Sequence, residues 1–371
     1  MKYLLTFKPL GHFFFGNERT FKEDYVAHSE YFPQPTQLLG ALRLVIAQQY
    51  GLIKQYRNGR YTKDPQTLQA LTGTAKAHTF MENDDLGKIA MLSPMFLASE
   101  SLDDAYFPTP FDLNATITYG SHMMATESEE IIPVKYPQKV TLSYLTLANI
   151  GGYYYLDGYN VKHHSPQMLG NSVFWKAYLN GEERAVNALF AFEDSSEHKG
   201  IFLPHEQVGI ALDKGKQTID EKFYVKKDYT LNEGFLFACL LDFDGEIEDD
   251  YVQLGAEGSL FKMEVHPLSQ TPLSQHPVIV SLQNAPKAGG KAVAISDVMV
   301  EHKDVSPLHF ALVPYVKRSA SLKRDKERYM GVHPLKQVAP AGSIFYLKEQ
   351  ESMPSNIGAY AKMGYNQFIS L

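Results

Sequence analysis

Apolar residues first recur at helical spacing in the stretch YFPQPTQLLGALRLVIAQQYG, from Tyr31 to Gly51. At about 100° per residue, one broad face collects the large aliphatic side chains Leu38, Leu39, Leu42, Val45 and Ile46. Proline suits the first position of a helix because its fixed φ matches the helix and its missing N–H would have no partner there. The pattern therefore predicts an amphipathic helix that begins at Pro35 and ends at Tyr50, with Gly51 as the C-terminal stop.

A second face of this helix is unusual. It carries the small residues Thr36, Gly40 and Ala47 together with the cation of Arg43. Glycine costs roughly 1 kcal/mol of helix propensity relative to alanine, so we expect something to approach closely at Gly40. The alternative is that another helix packs on this face and leaves Arg43 in solvent.

The other apolar residues mostly follow a strand pattern. KYLLTFKPL predicts a first strand, a hairpin tip is predicted at Arg57–Arg60, and residues from about 88 to 180 alternate short apolar runs with turn residues. Residues 206–243 predict three strands with turns at DKGK and NEG, and FKMEVHPL, PVIVSLQN and APAGSIFYLK predict three more. Strands outnumber helices, which favours a mixed α+β class with antiparallel pairing over βαβ crossovers.

Composition narrows the class of protein. The chain has 371 residues, enough for two domains, and its 44% hydrophobic and 21% charged residues are typical of a folded globular protein. The net charge of −7 argues against a generic basic nucleic-acid binder, although it leaves room for a local basic surface. The single cysteine, Cys239, lies in an apolar run and is expected in the core, so no intramolecular disulfide or cysteine-based zinc cluster can form. Because neither a signal peptide nor a run of about 18 apolar residues is recognisable, we expect a cytoplasmic protein.

Few catalytic or metal motifs occur. The acidic run from Asp242 to Asp250 lacks the spacing of an EF-hand loop, which favours a solvated loop or a surface for a basic partner over a metal site. The sequence contains no HExxH, GxSxG or GxxxxGK motif. His12 and His28 flank the GNERTF loop and could act as a general base in metal-independent RNA cleavage, but a structural or RNA-contacting role is favoured. We expect no metal and no cofactor.

The segment YVKRSASLKRDKERYMG is the strongest local charge feature. From Lys317 to Arg328 it holds six cations and two anions, a local charge of +4. Tyr315 and Tyr329 flank the segment and offer stacking faces beside the phosphate-binding charge. RNA contact is favoured here over the alternative of a solvated helix or loop.

The end of the chain, SNIGAYAKMGYNQFISL, places Gly358 and Gly364 around Lys362, with Tyr365 next. Glycines beside a lysine let backbone N–H groups come close to a phosphate. A glycine-containing hairpin without a ligand would show the same pattern.

Four segments together resemble one family. FFFGNERTF, YFPQPTQLLGALR, VGIALDKGKQTIDEKFYV, and LKQVAPAGSIFYL with the terminal GAYAKMGYNQF are similar to the third subunit of Cmr-type (type III-B) CRISPR effector complexes, in the RAMP superfamily. The segments occur in the order of that family and extend from the first strand to the end of the chain. The VGIALD and APAGSIFYL blocks favour this subunit over its relative in Csm complexes. The glycine-rich loop of the family corresponds to GAYAKMG, which has fewer glycines than the family pattern.

The resemblance implies an α+β fold of two ferredoxin-like (RRM-like) domains with β-rich insertions. The N-terminal domain would cover residues 1–200, with a large insertion at about 55–180, and the C-terminal domain would cover residues 201–371 and end in the glycine-containing loop. The resemblance also implies a non-catalytic subunit. Such a subunit holds the 5′ handle of the CRISPR RNA and bridges the large polymerase/nuclease subunit to the backbone filament, next to a neighbouring RAMP subunit.

Candidate RNA-binding residues come from the loop after the first strand, the helix with its proline turn, the basic segment and the end of the chain. They are Asn17, Arg19, Lys22, Pro35, Thr36, Gly40, Arg43, Lys317, Arg318, Lys323, Arg324, Arg328, Gly358, Lys362, Gly364 and Tyr365. We expect an RNA backbone to approach Gly40 and a phosphate to pair with Arg43. The stiff proline turn would reduce the entropy lost on binding.

Two alternatives stay open at this point. One is a metal-independent RAMP endoribonuclease that processes precursor CRISPR RNA with a histidine of the early loop as the base. The other is a protein-only scaffold, in which the basic segment near Lys317 meets an acidic partner.

Overall fold

A computed structural model describes most of the chain. The described ranges are 2–16, 26–56, 59–74, 85–125, 131–144, 146–150, 153–157, 168–182, 189–190, 192–193, 200–212, 218–256, 258–284, 288–299, 307–319, 322–325, 328–332, 336–352 and 360–371. All structural statements below concern these residues.

The described helices are few and the strands are many. The helices are α1 (Pro35–Gln49), α2 (Pro65–Thr72), α3 (Ser172–Leu179) and α4 (Pro277–Gln283), with short 3₁₀ turns at Leu268–Gln270, Pro272–Gln275 and Tyr360–Lys362. The α+β class is therefore confirmed. None of the helices in the described ranges is long and apolar enough to cross a bilayer.

One large sheet forms the centre of the molecule. Its strand order is β13 (Leu189–Phe190), β12 (Leu169–Gly170), β7 (Ala105–Pro108), β6 (Phe96–Ser99), β16 (Phe235–Phe243), β1 (Tyr3–Pro9), β18 (Leu260–Pro267) and β17 (Asp250–Gln253), and β5 (Ile89–Leu92) also pairs with β16. The first strand, β1, is antiparallel to both of its neighbours, with Tyr3 opposite Leu241 on one side and opposite Pro267 on the other. The first strand of the chain is thus completed by strands more than 200 residues away.

Smaller sheets surround this centre. One contains β14 (Phe202–Leu212), β15 (Thr218–Leu231) and β2 (Val26–His28). A C-terminal sheet has the order β21 (Leu308–Leu312), β26 (Ile344–Leu347), β19 (Gly290–Ala294) and β27 (Phe368–Ser370), and another has β20 (Val298–Met299), β25 (Lys336–Ala339) and β22 (Lys317–Ser319). Strand pairs are β3 (Ile53–Tyr56) with β4 (Gly59–Thr62), β8 (Leu113–Ala125) with β9 (Ile131–Tyr144), β10 (Thr146–Ile150) with β11 (Tyr153–Asp157), and β23 (Leu322–Asp325) with β24 (Arg328–Val332).

Side chains alternate between the two faces of the central sheet, and both faces are covered. Leu5 and Phe7 of β1 pack in one buried cluster with the predicted stripe of α1, whereas Leu4 faces a second cluster that contains α3 and α4. The five α1 residues predicted to face the core are all buried, and Pro35 occupies the first turn, as the sequence predicted. The helix ends at Gln49, one residue before the predicted end at Tyr50, which is its C-cap. Cys239 is fully buried in the same cluster, and burial raises the pKa of its thiol.

One expectation needs correction. PVIVSLQN, predicted as a strand, is helix α4: Pro277 takes its first turn and the His276 ring accepts a hydrogen bond from the Val278 N–H at 3.2 Å. A short apolar run fits either element, and this cap favours the helix. Strands β16 and β18, which follow the boundary expected at residues 200 and 201, lie on either side of β1 in one sheet.

Candidate functional site

The turn before α1 is hydrogen-bonded to Gly16, the first residue of the GNERTF segment. The Gln34 N–H donates to Gln37 Oε1 at 3.1 Å, which closes the first turn of the helix. The amide of Gln37 then donates to the Gly16 carbonyl at 3.0 Å, where the described part of the first segment ends. Asn17, Arg19 and Lys22 lie outside the described residues, so their role stays a prediction. Gly16, which begins that segment, is nevertheless anchored to α1.

The start of α1 meets the end of the chain. The Thr36 hydroxyl lies 3.3 Å from the Tyr365 hydroxyl, and Gly364 has φ +92°, a conformation that favours glycine. A Cβ on Gly364 would lie 3.0 Å from the Ser93 carbonyl oxygen and 3.1 Å from Pro35 Cβ. Glycine is therefore required here for close packing against the proline turn.

Burial divides the candidates of this junction into two groups. Tyr365 is only 2% exposed, and burial raises the pKa of its phenol. Pro35 and Gly364 are also buried, so these residues can position a ligand-binding surface but offer no open stacking face. Lys362 and Gly40 are exposed, and Thr36 is half-buried. Gly358 lies outside the described residues.

A cleft of about 180 Å³ opens beside this junction. Its walls include the rings of Tyr31, Phe32 and Tyr315, and its polar lining includes the carboxylate of Asp297. Strand β25 contributes Val338, and its neighbour in the sheet is β22, the start of the basic segment. The cleft thus joins the proline turn, the chain end and the basic segment.

A carboxylate that the sequence did not single out fixes one wall of the cleft. Glu193 accepts hydrogen bonds from the Tyr31 hydroxyl at 2.6 Å and the Tyr229 hydroxyl at 2.8 Å, and Lys227 Nζ lies 3.0 Å away. Burial opposes ionisation of Glu193, but the hydrogen bonds from Tyr31, Lys227 and Tyr229 outweigh it and lower its pKa. Since these partners lie far apart in sequence, no local motif could have identified Glu193.

Arg43 has protein partners. Its Nε donates to the Thr72 carbonyl at 2.6 Å and one terminal nitrogen donates to the Gly73 carbonyl at 2.7 Å, so Arg43 satisfies carbonyls at the end of α2. Burial lowers the pKa of its guanidinium. Gly40 differs, because a Cβ there would meet no atom within 4 Å. The close approach expected at Gly40 is therefore not supplied by the described part of this chain.

The described part of the basic segment forms strands. From the sequence, a solvated helix or loop is the alternative to RNA contact. Lys317 and Arg318 lie on β22, Lys323 and Arg324 on β23, and Arg328 begins β24. Tyr315 is exposed beside them. The two early histidines are separated: His12 contacts Asp228, whereas His28 is exposed on β2.

No metal-binding group stands out in the ranges that the structure describes. They contain no cluster of three or more His, Cys, Asp or Glu side chains suited to a metal ion. The acidic run is instead tied to its surroundings: Asp249 accepts from the Val265 N–H at 2.8 Å, and the Gln49 amide donates to Asp250 at 3.3 Å.

Comparison with solved structures shows the same fold in two chains of a known assembly. This chain is similar to a chain of the cryo-EM structure of the Type III-B Cmr-beta bound to cognate target RNA and AMPPnP, state 1, and to a chain of the structure with cognate target RNA alone. In both, the TM-score is 0.50 and the sequence identity 13%, with 100% of this chain and 96% of the other covered. No curated protein matches the chain.

The sequence itself matches a family model over nearly its whole length. The model is that of the CRISPR-associated protein Cas_Cmr3, and the match covers residues 5–371. The resemblance noted in the sequence is thereby confirmed, and the chain belongs to the CRISPR-associated Cas_Cmr3 family.

Proposed function

We propose that this chain is a non-catalytic RNA-binding subunit of a type III-B CRISPR effector complex. It holds the 5′ handle of the CRISPR RNA and bridges the large polymerase/nuclease subunit to a neighbouring RAMP subunit of the backbone filament. Membership of the Cas_Cmr3 family supports the assignment of this chain to a type III-B effector complex. The two similar chains come from Cmr-beta complexes bound to cognate target RNA, which supports an RNA as the ligand of this chain.

The observation that carries the RNA-binding role is the meeting of candidate segments from opposite ends of the chain. Thr36 and Tyr365 are 329 residues apart in sequence and lie within 3.3 Å of each other. Gln37 ties this junction to the base of the GNERTF loop, and the cleft beside it has aromatic walls. Readers of single-stranded RNA combine such faces for splayed bases with nearby cations for phosphates, here Lys362 and the basic segment.

The strand order supports a ferredoxin-like N-terminal unit. Strands β5 and β6, β16, β1 and β18 lie side by side, all antiparallel, and α1 follows β1, which is the order expected for that fold. Strand β17 occupies the segment where a second helix is expected. We infer that this unit extends to about residue 267 with an insertion between β6 and β16, and that the C-terminal unit begins near residue 268.

Binding of two labelled RNAs that differ only in the 5′ handle tests the proposal. The chain would be measured in chelator, alone and with the large subunit, over a series of salt concentrations. We expect handle-dependent binding without cleavage. Equal or absent binding of both RNAs would favour the protein scaffold, and cleavage in chelator would favour the endoribonuclease.

Two exposed candidates sharpen this experiment. Lys362→Gln should weaken handle binding several-fold and reduce the salt slope by about 0.7, the loss of one phosphate contact on a single strand. Gly40→Gln should leave the fold intact, since an added side chain meets open space, yet weaken binding if RNA approaches there. Lys176→Gln, at an exposed lysine of α3, is the matched control and should change neither quantity.

A further inference from the structure

A polar cluster lies on the outward face of the sheet formed by β14 and β15. Phe13 pairs with Tyr229 through hydrogen bonds of 2.9 and 3.2 Å, and these two side chains face the core. Side chains alternate along a strand, so His12 and Asp228 point to the opposite face. His205 lies directly opposite Asp228 in the β14–β15 ladder.

Asp228 is the centre of this cluster. Its carboxylate is only 2% exposed, with His12 Nδ1 3.2 Å from Oδ1 and Lys226 Nζ 3.0 Å from Oδ2. A carboxylate accepts but does not donate, so a neutral His12 must carry its proton on Nδ1. In this tautomer Nε2 carries no proton, and the His12 side chain is 47% exposed.

The second histidine stacks on the first. The ring centroids of His12 and His205 are 4.0 Å apart, and His205 Nε2 lies 3.1 Å from the Thr230 hydroxyl. Each imidazole thus has one nitrogen engaged by the protein. The groups that the described contacts bring against the pair are Asp228, Lys226 and Thr230 of β15 and Phe14 of the first segment, which lies under Lys226.

The charge balance of the cluster depends on the imidazoles. Lys226 already balances Asp228, so a proton gained by either ring adds net positive charge at the surface. Two imidazolium rings 4.0 Å apart repel each other, and an anion that accepts a hydrogen bond from them removes this penalty. Protonation and anion binding therefore reinforce each other at this place.

The position of the cluster indicates which anion it meets. Strand β2 pairs with β15 from Val225 to Lys227, next to Asp228. The residues that precede β2 in the sequence include the candidate handle contacts Asn17, Arg19 and Lys22. We propose that His12 and His205 form a binding subsite for a phosphodiester group of the RNA backbone, occupied when the imidazoles are protonated. The proposal rests on the RNA-binding function proposed above and adds a site to it.

The pH dependence of RNA binding tests the subsite. Histidines ordinarily titrate near pH 6.5, so wild-type affinity for the handle RNA should rise about three- to tenfold between pH 8.0 and pH 6.0. In the double variant His12→Gln, His205→Gln this rise should disappear, because glutamine cannot gain a proton in this pH range. His309→Gln, an exposed histidine on β21, is the matched control and should keep the wild-type dependence.

Contradicting results are separable from failure of the RNA-binding function. Absence of handle binding by the wild type at pH 8.0 would overturn the proposed function itself. A rise with falling pH that persists in the double variant would overturn the subsite. A wild-type affinity that falls with falling pH would also overturn the subsite. That result would indicate that the neutral His12 ring accepts a hydrogen bond, for example from a ribose hydroxyl, and that protonation removes this contact.

A second measurement avoids substitutions altogether. In wild-type protein with ¹³C-labelled histidine, NMR titration of His12 and His205 without and with handle RNA reports their protonation directly. Bound RNA should move their titration to higher pH, and inorganic phosphate should do so more weakly. An unchanged titration in saturating RNA would overturn the proposal.

Discussion

Two buried aspartates, Asp112 and Asp228, each pair with a lysine, and they differ in their third partner. Asp112 is fully buried, with Lys291 Nζ at 2.8 Å and the Tyr178 hydroxyl at 3.0 and 3.1 Å from its two oxygens. Asp228 is almost as buried, with Lys226 at 3.0 Å and His12 at 3.2 Å. The third partner is a buried tyrosine in one cluster and a half-exposed histidine in the other.

The difference between these clusters separates a structural role from a ligand-binding one. The Asp112 cluster joins α3, the start of β8 and strand β19, and Lys291 also lies 4.6 Å from the centre of the Tyr178 ring. The Asp228 cluster instead holds an imidazole, a side chain that can gain a proton, and this ring is half-exposed. The five predictions below test this contrast, with the four single variants ordered from the largest expected effect to the smallest.

The largest effect is expected from Lys291→Met. Removal of this cation leaves the Asp112 carboxylate buried and without its counter-charge, which should lower the free energy of unfolding by about 3 kcal/mol. Urea denaturation of the full chain at pH 7.5 measures the loss. The double variant Asp112→Asn, Lys291→Met removes both charges and should recover a large part of it. Equal losses in the single and double variants would show that the charge pair is not the cause.

The loss of unfolding free energy caused by Lys291→Met should depend on pH in a defined direction. Burial raises the pKa of Asp112, and Lys291 opposes this rise. A carboxyl whose pKa is higher in the folded state contributes most stability at low pH, and that contribution is lost as pH rises through the folded value. Without Lys291 the pKa rises further, so the destabilisation relative to wild type should shrink as the pH is lowered from 7.5 toward 5. A loss that grows on acidification would contradict this sign.

Lys226→Met should cost less than Lys291→Met. Asp228 keeps a second partner that can become cationic, so we expect a loss of about 2 kcal/mol at pH 8, within the range for an incompletely paired buried group. The loss should shrink as the pH is lowered, because a proton gained by His12 replaces the missing charge. Adding His12→Gln to this variant should abolish this dependence on pH. A pH-independent loss would show that His12 does not serve as the alternative cation.

Tyr178→Phe isolates the neutral partner of the first cluster. The substitution removes the hydroxyl and leaves the ring, so about 1 to 2 kcal/mol should be lost through the unmade hydrogen bond to buried Asp112. Thermal unfolding of the full chain at two pH values checks this. Handle-RNA affinity should not change, and a several-fold change would assign a binding role to the Asp112 cluster.

The smallest effect on stability is expected from His12→Gln. Since the ring is half-exposed and Lys226 still pairs with Asp228, the free energy of unfolding should change by less than about 0.5 kcal/mol. RNA binding at pH 6.0 should nevertheless weaken. The reverse result, a large stability loss with unchanged RNA binding, would make the two clusters equivalent in role.

Local patterns predicted the elements whose signals lie within a few residues of each other. The core stripe of α1, its proline start and the three strands from Phe202 to Phe243 follow the predicted pattern because periodicity and turn residues act over short distances. The helix α4 was missed, since an apolar run of that length fits a strand equally well. Arg43 was recognised as unusual, but its partners on α2 could not be named from its own helix.

The pairing register of β14 and β15 determines which residues meet in the Asp228 cluster. Leu212 pairs with Thr218, and regular pairing continued from there would place His205 opposite Val225. An irregularity between Ile210 and Leu212 shifts the pairing by three residues and sets His205 opposite Asp228. The sequence shows the two strands and the turn. It does not show the shift, because a bulge depends on how the strands fit their neighbours.

The sequence by itself determined the family, the α+β class, the amphipathic helix and the segments from which binding residues are drawn, because each of these depends on residue types at short spacing. Only the tertiary structure decided that β1 completes its sheet with strands beyond residue 234, that Thr36 meets Tyr365, and that His12 and His205 cover Asp228. These contacts join residues up to 329 positions apart. They depend on which surfaces can be buried together once the whole chain has folded, and that is a property of packing rather than of any single segment.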